Sequence, residues 1–212
     1  MRIYFAIDLS NGYVVRGKGG ERDRYEVVGS VWEVLERFDP KRIYFADLDR
    51  IEGRGSNLDL IESVAKEREV IADLGFRDAN EVGDFNFTPI VATETFDLRR
   101  IGEVRGKFFV SLDFRGVFLS NLSLESALEI LNTLDTVVIV LTIDRVGTLK
   151  PNFELVEKVI EMSENPVMAG GGISSVEDLE RFREMGCYGA IVATAVYEGR
   201  IPREVVRRGF IR

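Results

Sequence analysis

The sequence predicts an α/β fold, a TIM (β/α)8 barrel, from three observations: eight short β-branched and aromatic runs, amphipathic runs between them, and a two-fold internal repeat of four strand–helix units. Strands are predicted at "RIYFAID" (2–8), "RIYFAD" (42–47), "EVIADL" (69–74), "PIVAT" (89–93), "KFFVSLD" (107–113), "TVVIVLT" (136–142), "PVMAG" (166–170) and "GAIVAT" (189–194). Several are almost continuously hydrophobic, as a parallel strand covered on both faces should be. Helical patterns fall between them at 30–38, 57–67, 122–134, 152–164 and 175–186, with shorter or weaker ones near 78–84, 97–104 and 201–208. No linker, low-complexity segment or composition break divides the chain, so residues 1–212 read as one barrel domain with half-barrels of about 1–105 and 106–212.

The repeat carries much of this reading. "YFAIDLSNG" corresponds to "FVSLDFRGV", setting Asp8 against Asp113, and "ADLDRIEGRGSNLDLIESV" to "LTIDRVGTLKPNFELVEKV", setting Asn57 against Asn152. "VIADLGFRDANEV" corresponds to "VMAGGGISSVEDL", and "IVATETFD" to "IVATAVYE", in unbroken order.

Composition narrows the chemistry. A formal charge of -8 argues against a nucleic-acid footprint. No apolar run approaches the roughly 18 to 20 residues of a membrane helix, and the first residues show no secretory pattern, so a cytoplasmic location is expected. Cys187 is the only cysteine, which excludes an internal disulfide and a cysteine-cluster metal site. Histidine is absent, leaving Asp, Glu, Lys, Cys and Tyr for proton transfer. The lack of glutamine beside abundant Glu, Lys and Arg points towards a high-temperature source.

Ligands of such barrels meet the carboxyl ends of the strands. Asp8 closes the first predicted strand and Asp113 the fifth, across the mouth from each other, an arrangement suited to proton abstraction by one carboxylate and donation by the other. Capping of loops is the alternative role for each. Gly170, Gly171 and Gly172 end the seventh strand and "VATAVYEG" follows the eighth, where bare backbone N–H groups can cradle a phosphate, with Ser174 and Thr194 as hydroxyl donors. A tight turn would explain the glycines equally well. The corresponding first-half loop, "ADLGFRD", retains only Gly75 and brings Asp73 to where a second phosphate would lie, with Arg77 nearby. One good phosphate site and one degraded or repurposed one are therefore expected. The long first loop, "SNGYVVRGKGGERDRYEVV", reads as a lid or a surface hairpin, with Arg16 and Lys18 as contacts for an anionic substrate. Asp47, Asp49 and Asp144 either line the mouth or pair with Arg50 and Arg145. Carboxylates alone would favour Mg²⁺, but nothing demands it, and neither metal nor cofactor is expected.

These segments together resemble, over essentially the whole chain, the ProFAR isomerase (HisA) and cyclase (HisF) family of histidine biosynthesis. "AIDLSNGYVVRGKGG", "ADLDRIEGRGSNLDLI", "VSLDFRG", "IDRVGTL" and "GGGISSVEDLERFREMGCYGAIVATAVYEGRI" carry the resemblance, the last most specifically. It implies a cofactor-free rearrangement of an aminoaldose to an aminoketose with Asp8 as base and Asp113 as acid. It further implies one substrate phosphate held by Gly171, Gly172 and the segment around Ala193 and Thr194. Thr142 stands one residue from the family's threonine and joins the catalytic candidates. The chain departs from the family in "DLGFR" where a "GGGIR" loop is expected, in Ala92 and Thr93 where "GT" is expected, and in Val146 replacing an acid. The expected activity is thus a HisA-like aldose–ketose isomerase of a phosphoribosyl-type sugar phosphate with a degraded first phosphate site at Gly75, Arg77 and Thr93. A cyclase or lyase acting on a singly phosphorylated substrate, and a non-catalytic phosphate-ligand binder, are the alternatives. The partner is a small sugar phosphate; no nucleic acid, membrane or glutaminase partner is expected, and the oligomeric state is left open.

Overall fold

The computed structural model describes residues 1–17 and 25–212; Lys18 lies outside the described residues. Eight parallel strands close into a barrel: β1 (Arg2–Ser10), β4 (Arg42–Asp47), β5 (Glu69–Asp73), β6 (Thr88–Ala92), β7 (Phe109–Arg115), β9 (Val138–Thr142), β10 (Val167–Gly170) and β11 (Gly189–Val192). They pair in that order, and β11 pairs with β1 to complete the ring. This is the TIM barrel that the alternation of runs predicts. Antiparallel excursions rise from two of the strands. Strand β1 continues past Asp8 to pair with β2 (Tyr13–Arg16), which pairs with β3 (Glu26–Gly29); β7 continues past Asp113 to pair with β8 (Val117–Phe118). Both strands therefore run two residues past their aspartates, further than the sequence indicates. The β1–β2 turn is made by Asn11 and Gly12, both at positive φ, the conformation that an Asn-Gly pair supplies in a two-residue hairpin. The first loop is thus a hairpin at its base.

The outer ring comprises α1 (Val31–Phe38), α2 (Leu48–Ile51), α3 (Leu58–Ala65), α4 (Leu124–Leu131), α5 (Phe153–Met162), α6 (Val176–Glu184), α7 (Thr194–Tyr197) and α8 (Arg203–Arg208). Five starts are capped by side chains: Ser30 in a capping box with Glu33, then Asp47, Ser123, Asn152 and Ser175. The two weak patterns after β5 and β6 form only short 3₁₀ turns, Ala79–Glu81 and Leu98–Glu103. The very short α2 and α7 were not legible, because one turn of helix leaves no periodicity.

Alternation along the strands sorts the core into two shells. Tyr4, Tyr44, Ile71, Ile90, Phe109, Ile139, Met168 and Ile191 fill the barrel interior, while residues such as Ile3, Phe5, Phe45, Val91, Val110 and Val140 pack outward against the helices. The same parity brings Asp8, Asp73, Asp113 and Leu141 onto the wall of one cavity at the carboxyl end of the barrel.

Candidate active site

The cavity measures about 1060 Å³ including its open mouth. Its described walls carry four carboxylates, Asp8, Asp73, Glu94 and Asp113, and a single cation, Arg16, among apolar residues such as Leu48, Leu141, Ile143 and Leu149. Tyr44 lies beneath the acidic groups, and its phenol is pushed well above the usual range by burial and by the charges of Asp73, Asp113, Asp8 and Glu94. Asp8 and Asp113 thus face one space from β1 and β7, strands on opposite sides of the ring.

Asp113 is 1% exposed. Its Oδ1 accepts from Ser111 Oγ at 2.6 Å, while Oδ2 accepts from the Glu94 N–H at 2.9 Å and from Thr93 Oγ1 at 3.3 Å. The Asp113 N–H in turn donates to Thr93 Oγ1 at 2.8 Å. Burial outweighs these donors and lifts the carboxyl to about 6, with the Glu94 charge adding to the rise. The group therefore stays protonated nearer to neutral pH than an ordinary aspartate. Thr93 is placed beside it as a brace and is not on the cavity wall.

At the opposite side, Gly171, Gly172, Ile173, Ala193 and Thr194 line the cavity. Gly171 and Gly172 both adopt positive φ, and a Cβ on Gly172 would lie 2.5 Å from the Lys150 carbonyl oxygen. The turn requires glycine for packing, which leaves open backbone at the wall. Gly170 ends β10 with its missing side chain directed at Leu141 and Ile191, and it does not line the cavity. Ser174 donates from both its N–H, at 2.8 Å, and its hydroxyl, at 2.6 Å, to Asp178 Oδ2, turning it towards α6. The Thr142 hydroxyl donates to the Gly170 carbonyl at 3.0 Å and bridges β9 to the glycine turn; its neighbour Leu141 faces the cavity instead, the outcome of a one-residue change of parity.

The loop after β5 is built differently. Asp73 is 5% exposed and its Oδ1 accepts the Gly75 N–H at 2.9 Å. Gly75 is required at its positive φ because a Cβ would lie 2.6 Å from Ile51 Cα. Arg77 donates to the carbonyls of Ile51 at 2.7 Å and Gly75 at 3.0 Å. Neither Gly75 nor Arg77 is on the cavity wall. Asp47 and Asp49 also turn away from the mouth: Asn57 Nδ2 donates to both, at 2.7 and 2.9 Å, and Asp49 accepts the Asn11 N–H, so the trio clamps the β1–β2 turn to the start of α3.

Arg16 is the predicted anion contact that the structure does bring to the wall. Its guanidinium lies 4.8 Å from the centre of the Tyr197 ring and 4.0 Å from Glu198, both on or beside α7. Tyr44, Glu94, Ser111 and Tyr197 are wall or supporting residues that sequence reasoning missed. The repeat offered one signal, since Glu94 and Tyr197 fall within its matched pair "IVATETFD" and "IVATAVYE". Cys187 is buried in the outer core, off the cavity wall, and burial pushes its thiol up to about 12. Among the described residues no group of three or more acidic or sulfur side chains could hold a metal ion, and no helix is long and apolar enough to cross a membrane.

Comparison with known proteins gives this architecture a lineage. A family described as histidine biosynthesis protein matches residues 2–86 and 100–202. A Methanocaldococcus jannaschii protein described as uncharacterised is 35% identical over 99% of this chain and 99% of its own length. The 1-(5-phosphoribosyl)-5-((5-phosphoribosylamino)methylideneamino) imidazole-4-carboxamide isomerases of Thermococcus onnurineus and Pyrococcus furiosus are 33% and 30% identical, over 95% and 96% of this chain and 95% and 92% of their own lengths. A match that spans strands from both sides of the closed ring, with relatives aligned from end to end, means that the chain belongs to the histidine biosynthesis protein family.

Proposed function

We propose that the protein is an aldose–ketose isomerase that converts an aminoaldose of phosphoribosyl type to the corresponding aminoketose, with Asp8 as base and Asp113 as acid. The observation that carries this reading is the pair of carboxylates facing one cavity from β1 and β7, one of them lifted to about 6 by burial. Asp113, protonated, donates to the ring oxygen as the sugar opens, and Asp8 removes the proton from C2. Ring opening leaves a C1=N iminium, loss of the C2 proton gives a 1,2-enaminol, and protonation at C1 with loss of the O2 proton yields the aminoketose. The change is an internal hydrogen shift, so it needs neither an oxidant nor a reductant. The relatives' name supplies the substrate class, a phosphoribosylamino group on an imidazole carboxamide.

Gly171, Gly172, Ala193 and Thr194 hold the sugar phosphate through backbone N–H groups, and Arg16 supplies the balancing charge from β2. Thr142 acts by fixing the glycine turn, and Thr93 by fixing Asp113. Ser174 supports the same turn through α6. The degraded first phosphate site is the loop after β5, with Gly75 and Arg77 engaged in packing.

The test is an isomerisation assay with the relatives' substrate and with singly phosphorylated aminoaldoses. Asp8→Asn and Asp113→Asn should each lower turnover by about a hundredfold or more while ligand binding persists. Turnover surviving both changes would refute the assignment.

A further inference from the structure

Two loops at the β5–β6 side of the cavity each give a backbone donor to one of the chain's own carboxylates. After β5, the Gly75 N–H donates to Asp73; after β6, the Glu94 N–H donates to Asp113. The arginines that border these loops are also engaged elsewhere. Arg50 donates to the Leu74 carbonyl and pairs with Glu81 at 3.6 Å, Arg77 donates to carbonyls, and Arg115 pairs with Glu94 at 3.2 Å. On the β10–β11 side, no carboxylate among the described residues takes the N–H of Gly171, Gly172 or Thr194, and Arg16 leans over α7. The two sides of the cavity therefore differ: the β10–β11 side is rich in backbone donors, with Asp8 and Arg16 beside it and Arg16 itself 4.0 Å from Glu198, whereas the β5–β6 side is walled by Asp73, Glu94 and Asp113.

We propose that Asp73 is a specificity-determining residue: it fills the β5 anion seat from within, so that the ligand carries one phosphate, held at the β10–β11 side, and presents hydroxyl or amine donors instead of a second phosphate to Asp73 and Glu94. This inference rests on the reading of the glycine turn as the phosphate seat and narrows the substrate of the proposed reaction. Two features make Asp73 the decisive group. Its carboxylate lies on the cavity wall, and the N–H that it accepts belongs to Gly75, the glycine that stands in the repeat where Gly172 stands after β10. A second phosphate would have to displace a buried carboxylate from its donor and share the space with its charge, with neither neighbouring arginine free to compensate.

The experiment is a binding titration of the full chain with inorganic phosphate, followed by ³¹P resonance and calorimetry, on wild type, Asp73→Gly and Asp73→Asn. Wild type should take one phosphate per chain. Asp73→Gly, which recreates the residue found at the matching position of β10, should take two. Asp73→Asn keeps a side-chain oxygen for the Gly75 N–H and so guards against misfolding. It should bind the relatives' doubly phosphorylated substrate about tenfold more tightly than wild type does, with no change for the same compound dephosphorylated at the imidazole-side ribose. Two phosphates on wild type, none on wild type, or equal affinities of all three proteins for the doubly phosphorylated compound would overturn the proposal. These are binding readouts. An inactive protein that shows them refutes the isomerase reading alone, and efficient wild-type turnover of the doubly phosphorylated substrate refutes the role of Asp73 alone.

Discussion

The loops after β5 and β10 begin with the same packing demand and end with opposite electrostatics. Gly75 and Gly172 both hold positive φ, and in each case a side chain would collide with the neighbouring loop, at Ile51 or at Lys150. Glycine is therefore explained by sterics at both, with or without a ligand. The residue at the end of the strand sets them apart. Asp73 takes the N–H of its own loop, whereas Gly170 has no side chain to do so. A glycine turn becomes available to an anion only when nothing in the protein has already answered its donors.

The largest effect expected concerns Asp113, which answers the donor of the β6 loop. Asp113→Asn should lower kcat/KM by a factor of about 10² to 10⁴, the usual range for a lost general acid. It should also change the pH dependence of stability. The unfolded carboxyl ionises near 4, the folded one near 6. Between those values the folded state binds more protons, so wild-type stability falls as pH rises through the window from about 4 to 6, and the full cost, about 3 kcal/mol, is present above it. Urea unfolding at pH 4 and pH 7 should show this slope in wild type and lose it in Asp113→Asn. In wild type kcat/KM should decline above pH 6 as the acid is lost. A flat profile through that region would remove Asp113 from the role of acid.

Next come Gly75→Ala and Gly172→Ala. Each forces a Cβ into backbone at positive φ and should destabilise by about 2 to 3 kcal/mol in thermal or denaturant unfolding. Only Gly172→Ala should weaken phosphate binding, because Gly172 lines the cavity and Gly75 does not. Equal loss of phosphate affinity in both variants would erase the distinction between the loops.

The contrast was partly legible in the sequence. The repeat aligned "ADLGF" with "AGGGI" and so exposed Asp73 as an intruder, and the places of Asp8 and Asp113 at the ends of the first and fifth predicted strands were enough to bring both to one mouth. Hydrophobic alternation is strong in buried strands, which is why all eight were recovered to within a few residues. Side-chain direction at strand ends was not legible. Thr142 and Leu141 differ by one position, and which of them faces the cavity depends on where the strand stops, a property of pairing with β7 and β10 rather than of local sequence. Arg77 misled for a related reason. A long cation beside a presumed anion site looks like a ligand contact, but unfilled carbonyls at the end of α2 captured it first.

Arg77→Ala follows from that capture. Removing hydrogen bonds to the Ile51 and Gly75 carbonyls should destabilise the protein by about 1 to 2 kcal/mol, measured by urea unfolding, with no change in phosphate affinity. A drop in affinity without loss of stability would mean that the guanidinium swings into the cavity when an anion arrives, and the β5 loop would then regain part of the anion seat that Asp73 occupies.

The smallest effect tests the other loop. Ser174 follows the glycine turn closely enough to reach a phosphate, yet both its N–H and its hydroxyl are bound to Asp178 within the first turn of α6. If the β10 loop holds its anion through Gly171 and Gly172 alone, Ser174→Ala removes only a strut. It should lower stability by about 1 kcal/mol and leave the phosphate dissociation constant unchanged to within about twofold, a difference of less than half a kcal/mol. A tenfold weakening would show that the hydroxyl leaves Asp178 for the ligand, so that side-chain donors, and not exposed backbone alone, separate the binding loop from the one closed by Asp73.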